Sequence, residues 1–251
     1  MEIEIFEKEK EKFYVLYEMV KEKHPSIDTD YNSYIIGIEN NNLWIWTKNG
    51  IEERNLNIIK EKIKEKLSKN KELSILCKEE IYEYLIKQEI KLDSFKMGLL
   101  ICDKTNFINI ISGFLDHPNY GDKLPLSILC KESYYELTKK ELSTMDALLI
   151  TENWIRDENF YVWKKNNGII TSTAKYDQFK KLSIITQVYT LKEERKKGYY
   201  QELMYELTNK ILKENHIPIL YTDFKNEISN HIYKKIGYKD LGYLRNIKVK
   251  E

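Results

Sequence analysis

Cysteine is scarce in this 251-residue chain: three residues, Cys77, Cys102 and Cys130, with no CxxC spacing. An odd number so placed argues against a disulfide framework and a cysteine zinc site, and reduced thiols in a cytosol fit it best. Histidine is as thin, four residues scattered along the chain, so no metal centre is expected. Long apolar runs are missing too. The longest, 97–102 and 147–150, fall far short of the ~20 residues a membrane-spanning helix needs. The opening MEIEIFEKEKEK is too acidic and too interrupted for a secretory leader. Nor does one sign of charge dominate. Basic residues number 41 and acidic ones 40, for a net charge of +1, which argues against a strongly basic nucleic-acid binder. These absences lead us to expect a cytoplasmic protein with no membrane, metal or nucleic-acid partner.

What the chain does have is charge. Charged side chains make up 32% of it and apolar ones 42%, against ~25% charged in ordinary globular domains. That profile excludes a collagen and a membrane bundle. The length allows one large domain or two small ones at ~150 residues each. Of the 41 basic residues only Arg54, Arg156, Arg195 and Arg245 are arginine, and alanine occurs twice. Lysine and glutamate runs are therefore read as solvated helix faces.

Periodicity gives the elements. A helix is expected near 8–23, apolar at Phe13, Leu16, Tyr17 and Val20, and ended by His24-Pro25 because proline disfavours helix in the residue before it. Strands follow at 33–38 and 43–47, joined by the turn Glu39-Asn40-Asn41-Asn42. A helix over 53–69 carries Leu56, Ile59, Ile63 and Leu67 on one stripe. A buried strand at 73–77, a helix at 78–90 and a strand at 97–102 complete the first half. The middle, 103–157, is poorly legible beyond short helical stretches and the turn His117-Pro118-Asn119-Tyr120-Gly121. It holds an echo: LSILCKEEIYEYL (73–85) returns as LSILCKESYYELT (126–138), nine of thirteen identical. Duplication and chance both remain open as its origin. The last hundred residues read as three strands, 160–164, 168–176 and 182–190, separated by Asn166-Asn167 and a lysine-bearing turn. Then come a basic loop, a helix to about 214 with Leu203, Met204, Leu207, Ile211 and Leu212 on one face, a strand at 217–222, a helix over 226–236 closed by Gly237, and a strand at 243–249. Gly237 suits a left-handed helix cap.

The loop Lys192–Gly198 carries the first chemical signal. Helix N-termini expose unpaired N–H groups and partial positive charge, so they favour Asp or Glu. Here Arg195, Lys196 and Lys197 stand immediately before Gly198 and a long helix. Such stacking makes sense if an anion, most simply a diphosphate, occupies the helix end; a solvated basic turn is the competing reading. Further on the chain reads Asn226, Ser229, Tyr233, Lys235, Gly237, Tyr238. The two stretches together, in this order and with a strand between them, resemble the GNAT superfamily of N-acetyltransferases. That family carries an R/Q-x-x-G-x-G/A pyrophosphate loop, here Arg195-Lys196-Lys197-Gly198-Tyr199-Tyr200, and then an N-x-x-S/A-x-x-x-Y-x-K-x-G-F/Y stretch. The resemblance covers about 158–251, with the family's early helices expected within 103–157.

The resemblance implies a mixed α/β sheet of the GNAT fold and acetyl-CoA as co-substrate. It places Val188, Tyr189 and Thr190 against the pantetheine arm and the acetyl carbonyl. Arg195, Lys196, Lys197, Gly198, Tyr199 and Tyr200 would cradle the pyrophosphate, mainly through backbone N–H groups. Asn226 and Ser229 would touch the cofactor from the opposite helix, and Tyr233 would return a proton to the leaving thiolate. Two departures stand out. Tyr200 occupies a position that is Gly or Ala in the family, so its ring must turn away from the diphosphate. Ser183 stands where many relatives carry a carboxylate base, so the base stays open between Asp177, Asp223 and Glu152. The implied reaction is direct attack of a primary amine, on a small molecule or on a protein or peptide, with neither a metal nor a covalent enzyme intermediate required. A non-catalytic acyl-CoA-binding module is the alternative. Two domains are expected, 1–103 and 104–251. The order of elements in the first matches the GNAT core from its second strand onward, although Gly50 stands there without the rest of the loop motif. It is expected to be a degenerate GNAT-like copy, with an unrelated α/β cap as the alternative and with Trp44 and Trp46 available to shape an acceptor cleft.

Overall fold

Fourteen of the first twenty-one residues were expected to form one helix, yet the first regular helix of any length starts only at Tyr14. The alternating Glu-Lys run from Glu7 to Lys12 offers no apolar stripe, and burial resumes at Phe13. The computed structural model of the chain describes residues 4–39, 41–179 and 181–249. Asn40 and Lys180, each in an expected turn, lie outside the described residues. By its internal contacts the chain divides into two units. The first is Met1–Leu99 with Thr222–Asn226 and Leu241–Glu251, and the second is Leu100–Tyr221 with Glu227–Asp240.

The first unit runs α1 (Glu4–Glu7), α2 (Tyr14–Lys21), β1 (Asp28–Thr29), β2 (Tyr34–Glu39), β3 (Asn42–Thr47), α3 (Glu53–Lys69), β4 (Ser74–Cys77), α4 (Glu79–Lys87) and β5 (Leu92–Ile101). β1, β2 and β3 pair antiparallel, whereas β3 and β4 pair parallel across the α3 crossover. The stripe read from the sequence is what α3 buries: Ile59 and Ile63 are inside, with Leu56 and Leu67 partly buried against the same cluster of Ile36, Ile45, Ile75, Ile81 and Leu85. The chain's last strand, β11 (Lys239–Val249), lies between β4 and β5, antiparallel to β4 with Asn246 opposite Leu76.

The second unit holds β6 (Gly113–Asp116), α5 (Lys123–Thr138), α6 (Thr144–Arg156), β7 (Phe160–Lys165), β8 (Ile170–Phe179), β9 (Leu182–Thr190), α7 (Tyr199–Lys213), β10 (Ile217–Asp223) and α8 (Glu227–Ile236). Its strands follow the order β6-β7-β8-β9-β10. All neighbours are antiparallel except β9 and β10, which α7 joins as a parallel crossover. Leu203, Met204, Leu207 and Ile211 of α7 pack on Trp163, Ala174, Ile185 and Leu220. At the end of α8 Gly237 sits at φ +126°, and a Cβ there would come within 2.5 Å of the Lys104 carbonyl oxygen. Conformation and close approach both demand glycine.

The repeated heptapeptide settles into two different structures. Leu73–Glu79 forms β4 and turns at Lys78 into α4, while the identical 126–132 lies wholly inside α5. In β4 the alternating environment buries Ile75, Leu76 and Cys77 from both faces; in α5 Leu126, Leu129 and Cys130 share one buried face at helical spacing. The echo is therefore no structural repeat. Tertiary context overrides a local preference that is the same in both copies.

Candidate active site at a forked pair of parallel strands

β9 and β10 pair from Leu182–Ile217 to Ile185–Leu220 and no further. Just beyond, Gln187 adopts φ +50°. The register with β8 slips there, Thr173 facing Tyr189 and Lys175 facing Thr186. Two residues thus oppose one, a β-bulge that bends the strand and sharpens its twist. The bulge falls where pairing with β10 stops, so β9 diverges and Val188, Tyr189 and Thr190 leave the fork along its β8 side.

The chain then makes a short 3₁₀ turn over Lys192–Glu194 and enters α7 through Lys196 at φ +63° and Gly198 at φ +90°. Gly198 is the N-cap residue, and no side chain caps the helix. The first-turn N–H groups have no preceding helical turn to bond to. A Cβ on Gly198 would meet nothing within 4 Å, so the space before the helix is open and only the backbone conformation calls for glycine.

The three cations immediately before Gly198 play different parts. Arg195 donates through Nε to the Thr190 carbonyl at 3.1 Å and through Nη2 to Glu136 Oε2 at 2.6 Å. Its guanidinium also lies 5.2 Å from the centre of the Tyr189 ring. Tyr189 in turn donates its hydroxyl to Glu136 at 3.1 Å. The Arg195 hydrogen bond holds the Glu136 carboxyl below its usual range. Arg195 is thus engaged by protein groups and anchors the loop to α5. Lys197 pairs with Glu194 at 2.9 Å. Lys196 alone of the three has no acidic partner among the described residues, which leaves it and the helix N–H groups to meet an anion.

Tyr200 does turn away from the helix end. Its ring packs on the core of the unit, and its hydroxyl is hydrogen-bonded to that of Tyr233 on α8. Ser229 stands one turn earlier on α8. Tyr233 is 5% exposed, and burial pushes its phenol well above the ordinary range. Tyr199 is partly buried beside it on the same core. The second unit therefore gathers Val188, Tyr189, Thr190, the loop Arg195–Tyr200, Ser229 and Tyr233. Asn226, in the turn before α8, falls with the first unit, and its N–H bonds the Asp223 carbonyl at 2.9 Å.

Ser183 lies buried at the start of β9, its hydroxyl 3.2 Å from His216 Nδ1. The carboxylates considered for a base are engaged elsewhere: Glu152 with Lys123 and Arg156, and Asp177 with Lys175. Asp223 falls with the first unit and accepts from the Lys225 N–H. Glu136 escaped sequence reasoning altogether. It lies 59 positions from Arg195 on a helix in the least legible stretch, and no local pattern marks it.

The first unit also contains a parallel strand pair joined by a helix, β3–α3–β4. β3 and β4 stop pairing at Ile45–Cys77. Immediately beyond, the buried Lys78 sends its ammonium to the Thr47 carbonyl at 2.7 Å, Asn49 Oδ1 at 3.1 Å and Glu9 Oε2 at 2.6 Å. Glu9 also accepts from the Trp46 indole N–H at 2.7 Å. α3 begins after Glu52 with Glu53 in its first turn.

Comparison with known proteins agrees with this geometry. Residues 177–246 match the family model described as FR47-like protein, a GNAT-related family. Among solved structures the chain resembles a GCN5-related N-acetyltransferase from Kribbella flavida, with a TM-score of 0.59, 10% identity and 93% of each chain covered. It resembles one from Sphaerobacter thermophilus at 0.59 and 12%, covering 86% of this chain and 76% of that one. A GNAT-family acetyltransferase from Colwellia psychrerythraea aligns at 0.56 and 8%, over 89% and 84%. A search of curated proteins finds no match. At such identities structural likeness speaks for the fold alone: the chain has the GNAT fold, and its residues 177–246 match the FR47-like model. Among the described residues no helix is long and apolar enough to cross a membrane.

Proposed function

We propose that the second unit transfers an acetyl group from acetyl-CoA to a primary amine by direct attack. One observation carries this reading: the bulged fork of β9 and β10 opens beside a helix N-terminus that no side chain caps and that the unpaired Lys196 precedes. The residues fit the co-substrate in kind. The first-turn N–H groups of α7 and Lys196 would hold a diphosphate, and the β9 backbone from Val188 to Thr190 would line the arm. The acceptor nitrogen bonds to the thioester carbonyl carbon, the C–S bond breaks, and Tyr233 gives its proton to the sulfur. Burial keeps Tyr233 protonated at neutral pH, as a donor must be.

A non-catalytic acyl-CoA-binding module is the second reading, favoured by Ser183 standing where relatives carry a carboxylate. We read the first unit as a degenerate GNAT-like copy. Lys78 fills the corresponding fork, and the carboxylates at the start of α3 already satisfy the helix dipole and would repel a diphosphate.

Thermal melts test the binding. Ligand at ~100 times its dissociation constant stabilises a fold by ~2.7 kcal/mol, so acetyl-CoA and CoA should raise the melting temperature and pantetheine should do so much less. No shift at millimolar acetyl-CoA would refute the proposal. Thiol release from acetyl-CoA in the presence of pooled amines separates the two readings. Tyr233→Phe should then lower turnover by on the order of 10²-fold with acetyl-CoA affinity nearly unchanged.

A further inference from the structure

We propose that Tyr200 is a positioning residue for acyl transfer, its hydroxyl holding the Tyr233 hydroxyl in orientation and supporting the phenolate that proton donation leaves. This rests on the reading of Tyr233 as the proton donor. Four observations support it. The two hydroxyls are hydrogen-bonded, with ring centroids 6.0 Å apart. Tyr233 is 5% exposed, and both rings pack on the same core. The other ring against Tyr233, Tyr238, lies edge-on at 5.7 Å and has its own hydroxyl 2.8 Å from Thr208 Oγ1. Position 200, finally, opens the helix that would bind the diphosphate, so the pair ties that end of the site to the proton donor.

Each hydroxyl has one proton, and either can donate in this pair. The mechanism requires one polarity, Tyr200 donating to Tyr233, which leaves the Tyr233 proton to face the sulfur. When the amine nitrogen bonds to the carbonyl carbon and the C–S pair moves to sulfur, the Tyr233 proton follows it. The resulting phenolate accepts the Tyr200 hydrogen bond and is reprotonated from solvent. The surplus proton on the acceptor nitrogen leaves to water. The titratable groups acting on Tyr233 are Tyr200 and Tyr238, both phenols, and Tyr233 is the titratable group acting on Tyr200. Among the described residues no cation acts on either phenol. A hydrogen bond to an ionised group is worth more than one between neutral groups, so the Tyr200 hydroxyl matters most in the transition state.

The test is Tyr200→Phe, which keeps the ring and removes the hydroxyl, beside Tyr233→Phe and the double variant. Proton NMR of the unliganded protein should resolve a slowly exchanging phenolic proton that either single substitution removes. Its absence in the wild type overturns the proposal without recourse to activity. With acetyl-CoA and pooled amines, Tyr200→Phe should lower kcat about tenfold with KM for acetyl-CoA within about twofold. The double variant should be no slower than Tyr233→Phe. Unchanged kcat in Tyr200→Phe, where Tyr233→Phe is slow, overturns the role of Tyr200 and leaves the acyl-transfer reading intact. Full turnover in Tyr233→Phe removes the proton-donor reading and this inference with it. A raised KM at constant kcat makes Tyr200 a co-substrate contact and refutes positioning.

Discussion

Gly198 and Gly50 precede corresponding crossover helices, and replacing each by alanine separates backbone strain from ligand binding. Gly198 stands at φ +90° and Gly50 at φ +69°, and a Cβ on either would meet nothing within 4 Å. Neither substitution adds a clash, so each costs the left-handed penalty alone, about 1–2 kcal/mol. In a chain of this size 1 kcal/mol moves the melting temperature by about 2–4 °C, so both variants should melt about 2–8 °C lower. Acetyl-CoA should then distinguish them. In unliganded Gly198→Ala any relaxation of φ trades part of that melting loss for first N–H groups of α7 that swing away from their common focus. Binding must reimpose the strain so relieved, and up to about 1–2 kcal/mol weakens affinity by a factor of up to about 5–30. Gly50→Ala has no such coupling and should bind as the wild type does. Melts with and without acetyl-CoA, together with calorimetric titration, give both quantities. Equal affinities in the two variants would refute the assignment of the α7 N-terminus as the diphosphate site.

Calorimetric titration of acetyl-CoA should give one site per chain, and Arg195→Glu combined with Gly198→Asp should abolish it; a stoichiometry near two would mean that the first unit binds despite Lys78. Acid should loosen the loop anchor. The folded Glu136 carboxyl is depressed by the Arg195 hydrogen bond, so its contribution is present above the unfolded value of about 4.3 and is lost as pH falls through the lower folded value. Both side chains are about 40% exposed, which limits the gain to at most about 1 kcal/mol. Glu136→Gln should therefore melt slightly below the wild type at pH 7 and level with it near pH 2, and an equal deficit at both pH values would rule out the ionic origin.

What could be read in advance was whatever short-range physics decides. The α3 stripe, the meander from β7 to β9 and the glycine cap at 237 each depend on a period or a backbone angle that a few neighbours fix. β6 was not seen, because four residues opening on Gly113 carry no alternation and become a strand only by lying against β7. The heptapeptide LSILCKE marks the limit sharply, since identical residues give a strand and a helix. The site divides along the same line. The loop, Ser229 and Tyr233 stood in motifs, whereas Glu136 and the partner of Tyr200 came from contacts across 59 and 33 positions. Tyr200 looked like a defect in a phosphate loop, and only the placement of α8 supplies the hydroxyl that gives its ring somewhere to go.

The two forks explain why one architecture yields one expected site. In each, a parallel pair separates after a few residues and a helix starts nearby, so backbone geometry alone would qualify both. Side chains decide between them. At the first fork a lysine following β4 reaches back and satisfies a strand carbonyl, an amide and a carboxylate at once, and acidic residues open the helix. The Lys78 ammonium is thus already satisfied by the protein. At the second fork the residue corresponding to that lysine is Tyr221, which follows Leu220 and carries no charge. The cations stand before the helix instead, and two of the three are already paired. An anion arriving at α7 meets unpaired N–H groups and Lys196, and displaces no ion pair to do so. On the reading proposed above, the site is set less by the fork than by which side of the crossover helix the basic residues fall.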